Sequence, residues 1–228
     1  MQVWSDIACP WCYVGKRRLE AAVARMPSPG EVEVIWRSFE LDPSAPPVQP
    51  ADESYAERLA RKYGASVAQA EAMIERMTAV AAGEGLSFRF DRLKPGNTFD
   101  AHRVIHLGRA RGVQGAVKER LLRAYMTEGE PIGDREVLAR LASEAGLDPE
   151  EVRSALAADT WAAEVRADEE EASEFGINSV PFFVLGGEYG IPGAQPVEVM
   201  HEALMQAWQE APEEALAAGP ACGPEGCE

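Results

Sequence analysis

Apolar positions alternate with polar ones near the two ends of the chain and fall at helical spacing through its middle. Val3 and Trp4, good strand formers, occupy a short opening segment from Met1 to Ser5. From Pro10 the period changes: Val14, Leu19, Ala22, Val23 and Met26 lie near helical spacing, and Pro27-Ser28-Pro29-Gly30 ends that run. Glu31-Val32-Glu33-Val34-Ile35-Trp36 then alternates as a half-buried strand does. After the proline-rich loop at 42–50 the strand signal disappears for more than a hundred residues. The periodicity predicts helices over 52–63, 66–83, 98–112, 114–128, 134–146, 149–157 and 160–175. Asp134 and Asp148-Pro149 supply helix starts, and Gly146 supplies a stop. Strands return at Pro181–Leu185 and Glu188–Ile191, joined by a Gly186-Gly187 turn, and a last helix follows from Pro196 to Trp208.

The predicted order is therefore strand–helix–strand, a block of helices, then strand–strand–helix. The outer parts (1–50 and 176–211) make a small sheet with helices on both faces, and 51–175 is an all-helical insertion. Residues 212–228, rich in Ala, Glu, Gly and Pro, form a tail.

Charge narrows the range of partners. The chain carries 38 acidic and 22 basic residues, a formal net charge of −16. Nucleic acid and anionic membrane surfaces need clustered Lys and Arg, so neither is an expected partner. No apolar run approaches the roughly 20 residues of a membrane span. Met1 leads almost directly to the first cysteine without a basic-then-apolar leader, which points to the cytoplasm.

Candidate chemistry rests on four cysteines in two close pairs, Cys9/Cys12 and Cys222/Cys227. In a reducing compartment, close pairs signal redox or metal chemistry rather than structural disulfides. Thiol–disulfide exchange needs an exposed thiolate and a second thiol near enough to resolve the mixed disulfide. Cys9 stands just before the helix, where free N–H groups and the helix dipole stabilise an anion. Cys12 lies one turn further in, Pro10 suits the first helical position, and Trp11 supplies apolar surface around the sulfurs. The alternative is a zinc half-site completed by Cys222 and Cys227 or by His102, His106 and His201. Zinc half-sites favour hairpin knuckles over strand-to-helix junctions, so redox chemistry is the stronger reading. It requires neither a resident metal nor a cofactor. Val180-Pro181 is a second candidate element. Proline can open a strand, and a cis bond there would turn the Val180 backbone toward an extended substrate.

Several stretches together resemble the DsbA-like thioredoxin superfamily, and within it the FrnE subgroup. They are Val3-Trp4-Ser5-Asp6, Cys9-Pro10-Trp11-Cys12 continuing through Arg18, Phe39-Glu40-Leu41-Asp42-Pro43, Asn97 to Arg103, Ser179-Val180-Pro181-Phe182-Phe183 and Gly193-Ala194-Gln195. The resemblance implies an α/β thioredoxin fold with a large helical insertion, Cys9 as nucleophile, Cys12 as resolving thiol and a cis Pro181. It implies protein or small-molecule thiols and disulfides as substrates, with a recycling reductant or oxidant. A glutathione-dependent isomerase of the same superfamily carries serine where Cys9 stands, so a glutathione-dependent isomerase or transferase is a secondary expectation. The tail pair Cys222/Cys227 departs from the minimal pattern and is read as a second redox pair, with a metal-binding clip and an incidental disulfide as alternatives.

Other residues receive simpler readings. His102 and His106 share a helix face and are assigned to packing or capping. Trp36, Phe39, Trp161, Phe175 and Trp208 are expected core aromatics, and Asp168-Glu169-Glu170-Glu171 an exposed helix face. Glu40 is a candidate proton carrier for the resolving thiol.

Overall fold

A computed structural model describes residues 1–49 and 53–210. The N-terminal strand β1 (Gln2–Ser5) is followed by α1 (Pro10–Val23) and β2 (Ile35–Ser38). Seven helices follow: α2 (Tyr55–Tyr63), α3 (Val67–Gly83), α4 (Phe99–Ala110), α5 (Gln114–Arg123), α6 (Arg135–Glu144), α7 (Pro149–Ala157) and α8 (Ala162–Glu174). The chain then returns to the sheet through β3 (Phe182–Leu185) and β4 (Tyr189–Pro192), and the last described element is α9 (Val197–Glu210).

The sheet order is β2-β1-β3-β4, with β1 parallel to β2 and the other neighbours antiparallel. Successive residues of β1 serve opposite faces, as the strand period requires. Val3 joins Trp36 and Phe183 in the core beneath α1 and α9, while Trp4 packs with Ala172 and Val184 beneath α8. The large core is continuous from that sheet face into α4–α7, through Leu121, Leu138 and Val152. Both faces of the sheet are covered.

Three local expectations change. The second strand begins at Ile35, not Glu31, because Pro29–Glu31 closes a 3-10 turn. Pairing of Gln2 with Ile35 sets the register from there. Asp168 is not on a solvated face: it is 1% exposed, with its carboxylate against His106, Arg37 and the Ser38 N–H. Phe175, expected in the core, stays exposed and meets the Trp4 ring edge-on at 5.8 Å. The β3–β4 turn is as read, with Gly186 and Gly187 both at positive φ (59° and 82°), where residues with a Cβ are disfavoured.

Helices α2 and α3 begin at capping boxes, Ser54 with Glu57 and Ser66 with Gln69. Each pair satisfies two otherwise orphaned backbone donors, so the two helices have fixed starting points. They form one wall of the site.

Candidate active site

The site grows out of the β1–α1 junction. Pro10 takes the first helical position because it has no N–H to lose there, which leaves Cys9 as the N-cap with extended backbone (φ −93°, ψ 112°). The Cys9 N–H donates to the Asp6 carbonyl at 3.3 Å, and the Cys12 N–H to the Cys9 carbonyl at 3.1 Å. Both thiols are free. Cys9 is 5% exposed and Cys12 1%, so only Cys9 reaches the surface.

Opposite Cys9 stands the segment that precedes β3. The Val180–Pro181 peptide bond is cis, and the Cys9 Sγ–H donates to the Val180 carbonyl at 3.4 Å. Among the described residues the Val180 N–H has no hydrogen-bond partner. Helix α1 can approach this segment closely because residue 15 is glycine: a Cβ there would lie 3.0 Å from Pro181 Cγ and 3.2 Å from Phe183 Cζ.

Beneath the cysteines lies a polar group that sequence reasoning did not assemble. Burial pushes the Cys12 thiol well up, and the hydrogen bond and charge of Cys9 add to it. Lys118, fully buried on α5, works in the other direction, and so does the Asp6 backbone N–H. Lys118 Nζ reaches the Ser5 carbonyl at 3.4 Å and lies 5.7 Å from the centre of the Trp36 ring. Burial lowers its ammonium to about 8, even though Cys12, Asp6 and Cys9 favour its charge. Asp6 accepts from the Leu41 N–H at 2.8 Å and faces His102 Nε2 at 3.5 Å. Burial opposes the Asp6 charge, but His102, Leu41 and Lys118 outweigh it and hold the carboxyl below its ordinary value. Burial likewise pushes the His102 ring down.

The expected packing role of His102 thus holds, with Asp6 as its neighbour, while His106 bonds Ser38 and Asp168. Glu40 belongs elsewhere: it is buried against Arg166 and Glu169, and burial raises its carboxyl. Asp6 had a visible signal, its place between a strand and the cysteines. Lys118 had none, being one lysine among the helical polar positions.

Cys9 opens onto a cleft of about 710 Å³ walled by α2 and α3 on one side and by 178–180 on the other. Trp11 lines its mouth and is 44% exposed. Cys222 and Cys227 lie outside the described residues. Among those described, no group of three or more His, Cys, Asp or Glu side chains could hold a metal ion, and no helix is long and apolar enough to cross a membrane.

A parallel–antiparallel sheet flanked by helices on both faces, with paired thiols at the first helix N-terminus opposite a cis proline, defines a class. The chain belongs to the DSBA-like thioredoxin domain family, which matches residues 1–205. The expected thioredoxin fold with a helical insertion is the one observed. A probable DsbA oxidoreductase of Streptomyces coelicolor is 47% identical, aligns over 100% of this chain and 97% of its own, and superposes with a TM-score of 0.85. The uncharacterized protein YwbO of Bacillus subtilis is 30% identical over 207 residues, 90% of this chain and 94% of its own. The cytosolic disulfide reductase DsbM of Pseudomonas aeruginosa, 16% identical, shares the fold with a TM-score of 0.62 over 92% of this chain and 98% of its own.

Proposed function

We propose that this chain is a thiol–disulfide oxidoreductase of the FrnE type in which Cys9 attacks and Cys12 resolves. The observation that carries the reading is the unequal placement of the two thiols. Cys9 caps α1 at the floor of an open cleft, while Cys12 is sealed one turn behind it with its proton held tightly. Family membership supports the same chemistry.

In the reducing direction, the Cys9 thiolate attacks one sulfur of a client disulfide and expels the other as a thiolate. Cys12 then loses its proton and attacks the Cys9 sulfur. The second client thiol leaves, and Cys9 and Cys12 are left as a disulfide. The client has gained two electrons, and a recycling thiol reductant returns two to the enzyme. Run backwards with an oxidant, the same steps insert disulfides. The unpaired Val180 N–H supports docking of an extended client backbone, and Trp11 supplies contact surface beside Cys9. The working division is a thioredoxin part at 1–50 and 176–211 with a helical insertion at 51–175, in a cytoplasmic protein. A structure of DsbM with GSH, 18% identical and matched by fold alone, is consistent with glutathione as a recycling reductant.

Cys222 and Cys227 are assigned as a second redox pair that exchanges with Cys9/Cys12. The assignment rests on their spacing in sequence. In a Cys12→Ser chain, peptide mapping should then find Cys9 joined to a tail cysteine; its absence under mild oxidation would remove the tail from the cycle.

Insulin reduction with a dithiol reductant tests the main assignment. Cys9→Ser should abolish turnover, by a factor of at least about 100. Full activity in that variant would take Cys9 out of the mechanism.

A further inference from the structure

The cleft beside Cys9 is apolar in its walls and cationic at its outer rim, in a chain whose net charge is −16. Leu59 and Met73 are half-buried and Met77 buried between α2 and α3. Trp11, Leu41 and Tyr63, at 44%, 38% and 60% exposure, are three of the seven large apolar side chains left exposed among the described residues. All three line this one cleft. Apolar surface gathered in this way marks a place that another molecule covers.

The charged residues of the lining say what kind of molecule. Arg58 and Lys62 lie one turn apart on α2, on the same face, and Arg76 adds a third cation from α3. The lining acids are two, Asp6 and Asp42. Asp6 is buried against His102 and the Leu41 N–H, and Asp42 accepts from the N–H and hydroxyl of Ser44 at 3.2 and 2.7 Å. Arg58 is held by Gln49 and the Glu53 carbonyl. Lys62 and Arg76 are exposed, and among the described residues neither has an acidic partner. Acidic side chains outnumber basic ones by 38 to 22, yet among the described residues none pairs with these two cations. A partner's carboxylates would complete them.

We propose that the cleft selects peptide clients with acidic residues flanking the reactive disulfide, and that Lys62 and Arg76 read those residues. The proposal rests on Cys9 as the attacking thiol and adds the substrate class. A peptide suits the cleft better than a tripeptide thiol such as glutathione. Glutathione could offer carboxylates to the rim, but it has no apolar side chains for walls built of Leu, Met and Tyr. A cavity of about 710 Å³ also accommodates several residues, and the Val180 N–H beside Cys9 can take a backbone carbonyl. The client runs from Val180 across Cys9 toward α2 and α3. There its apolar side chains meet Met73 and Tyr63, and its acids meet the rim.

Competition among three synthetic peptides tests this, each with the same apolar disulfide core and flanks of Glu, Gln or Lys. Full-length chain and a Lys62→Glu/Arg76→Glu double variant are compared by kcat/KM, with glutathione disulfide as a fourth substrate. Both replaced residues are exposed, and circular dichroism confirms that the variant is folded. The acidic peptide should lead the basic one by roughly tenfold at low salt, and the lead should shrink as salt rises. In the double variant the order should invert. Equal turnover of all three peptides by both chains would overturn the proposal and leave the proposed function standing. So would turnover of glutathione disulfide without turnover of any peptide. Loss of turnover for every disulfide in the full-length chain would overturn the proposed function as well.

Discussion

Lys118 shows what a single residue can cost and where that cost is tolerated. A lysine with no exposed surface, its ammonium lowered from an ordinary 10.5 to about 8, weakens the fold wherever it stays protonated. Two and a half units correspond to about 3 kcal/mol. The direction with pH follows from proton counts. Between the two values the unfolded chain still holds a proton that the folded chain has released, so this residue's contribution to stability improves as pH rises. Lys118→Met, an apolar residue of similar length, should therefore stabilise the protein most below about pH 8. To remove thiol titration, the comparison is made in a Cys9→Ser/Cys12→Ser background. Removing the two thiols also removes two of the groups that favour the ammonium, so urea unfolding should show a gain at about pH 7 that shrinks by about 2 kcal/mol or more at about pH 9.5. A gain that is constant with pH would mean that packing, and not charge, sets it. Cys12, Asp6 and Cys9 all favour the ammonium, which also contacts the Ser5 carbonyl and the Trp36 ring.

At the scale of elements, the site depends on how closely α1 approaches the β3 approach segment. Gly15 sets that distance, with Pro181 and Phe183 occupying the space a side chain would need. Gly15→Val should force the two apart, costing about 2–3 kcal/mol in denaturant unfolding. It should also lower kcat/KM, since it displaces the Val180 carbonyl from Cys9. Unchanged stability would show that the segment yields freely.

How far these elements could be read depended on the signals they carry. Helix α7 was readable to the residue because Asp148 caps it and Pro149 opens it. The β3–β4 hairpin was readable because two adjacent glycines take positive φ. Strand β2 was misplaced by four residues, because alternation runs through Glu31–Trp36 while pairing with β1 decides where the strand starts. For the site, Cys9 and Cys12 were legible from their spacing and from Pro10. Lys118, Asp6 and His102 come together only through packing of α5 and α4 under β1, which no local pattern records. Asp168 failed for a related reason: a run of four acids looks solvated until one of them is seen to cap the Ser38 N–H and pair with His106.

At the scale of the whole molecule, the sheet and both of its helical layers are built, among the described residues, from residues 2 to 210. A chain ending at 211 should accordingly keep the thermal midpoint of the full chain within about 2 °C, checked by calorimetry of both in reduced form. A much larger drop would make residues 212–228 part of the fold. The proposed division of labour lies between two thiols that differ in access by one helical turn. It is tested most directly with two single-cysteine chains, one keeping only Cys9 and one keeping only Cys12, each mixed with a disulfide-bearing client and analysed by mass spectrometry. The Cys9-only chain should accumulate a mixed disulfide, and the Cys12-only chain none on the same timescale. Adducts of equal yield on both, or on Cys12 alone, would contradict the account.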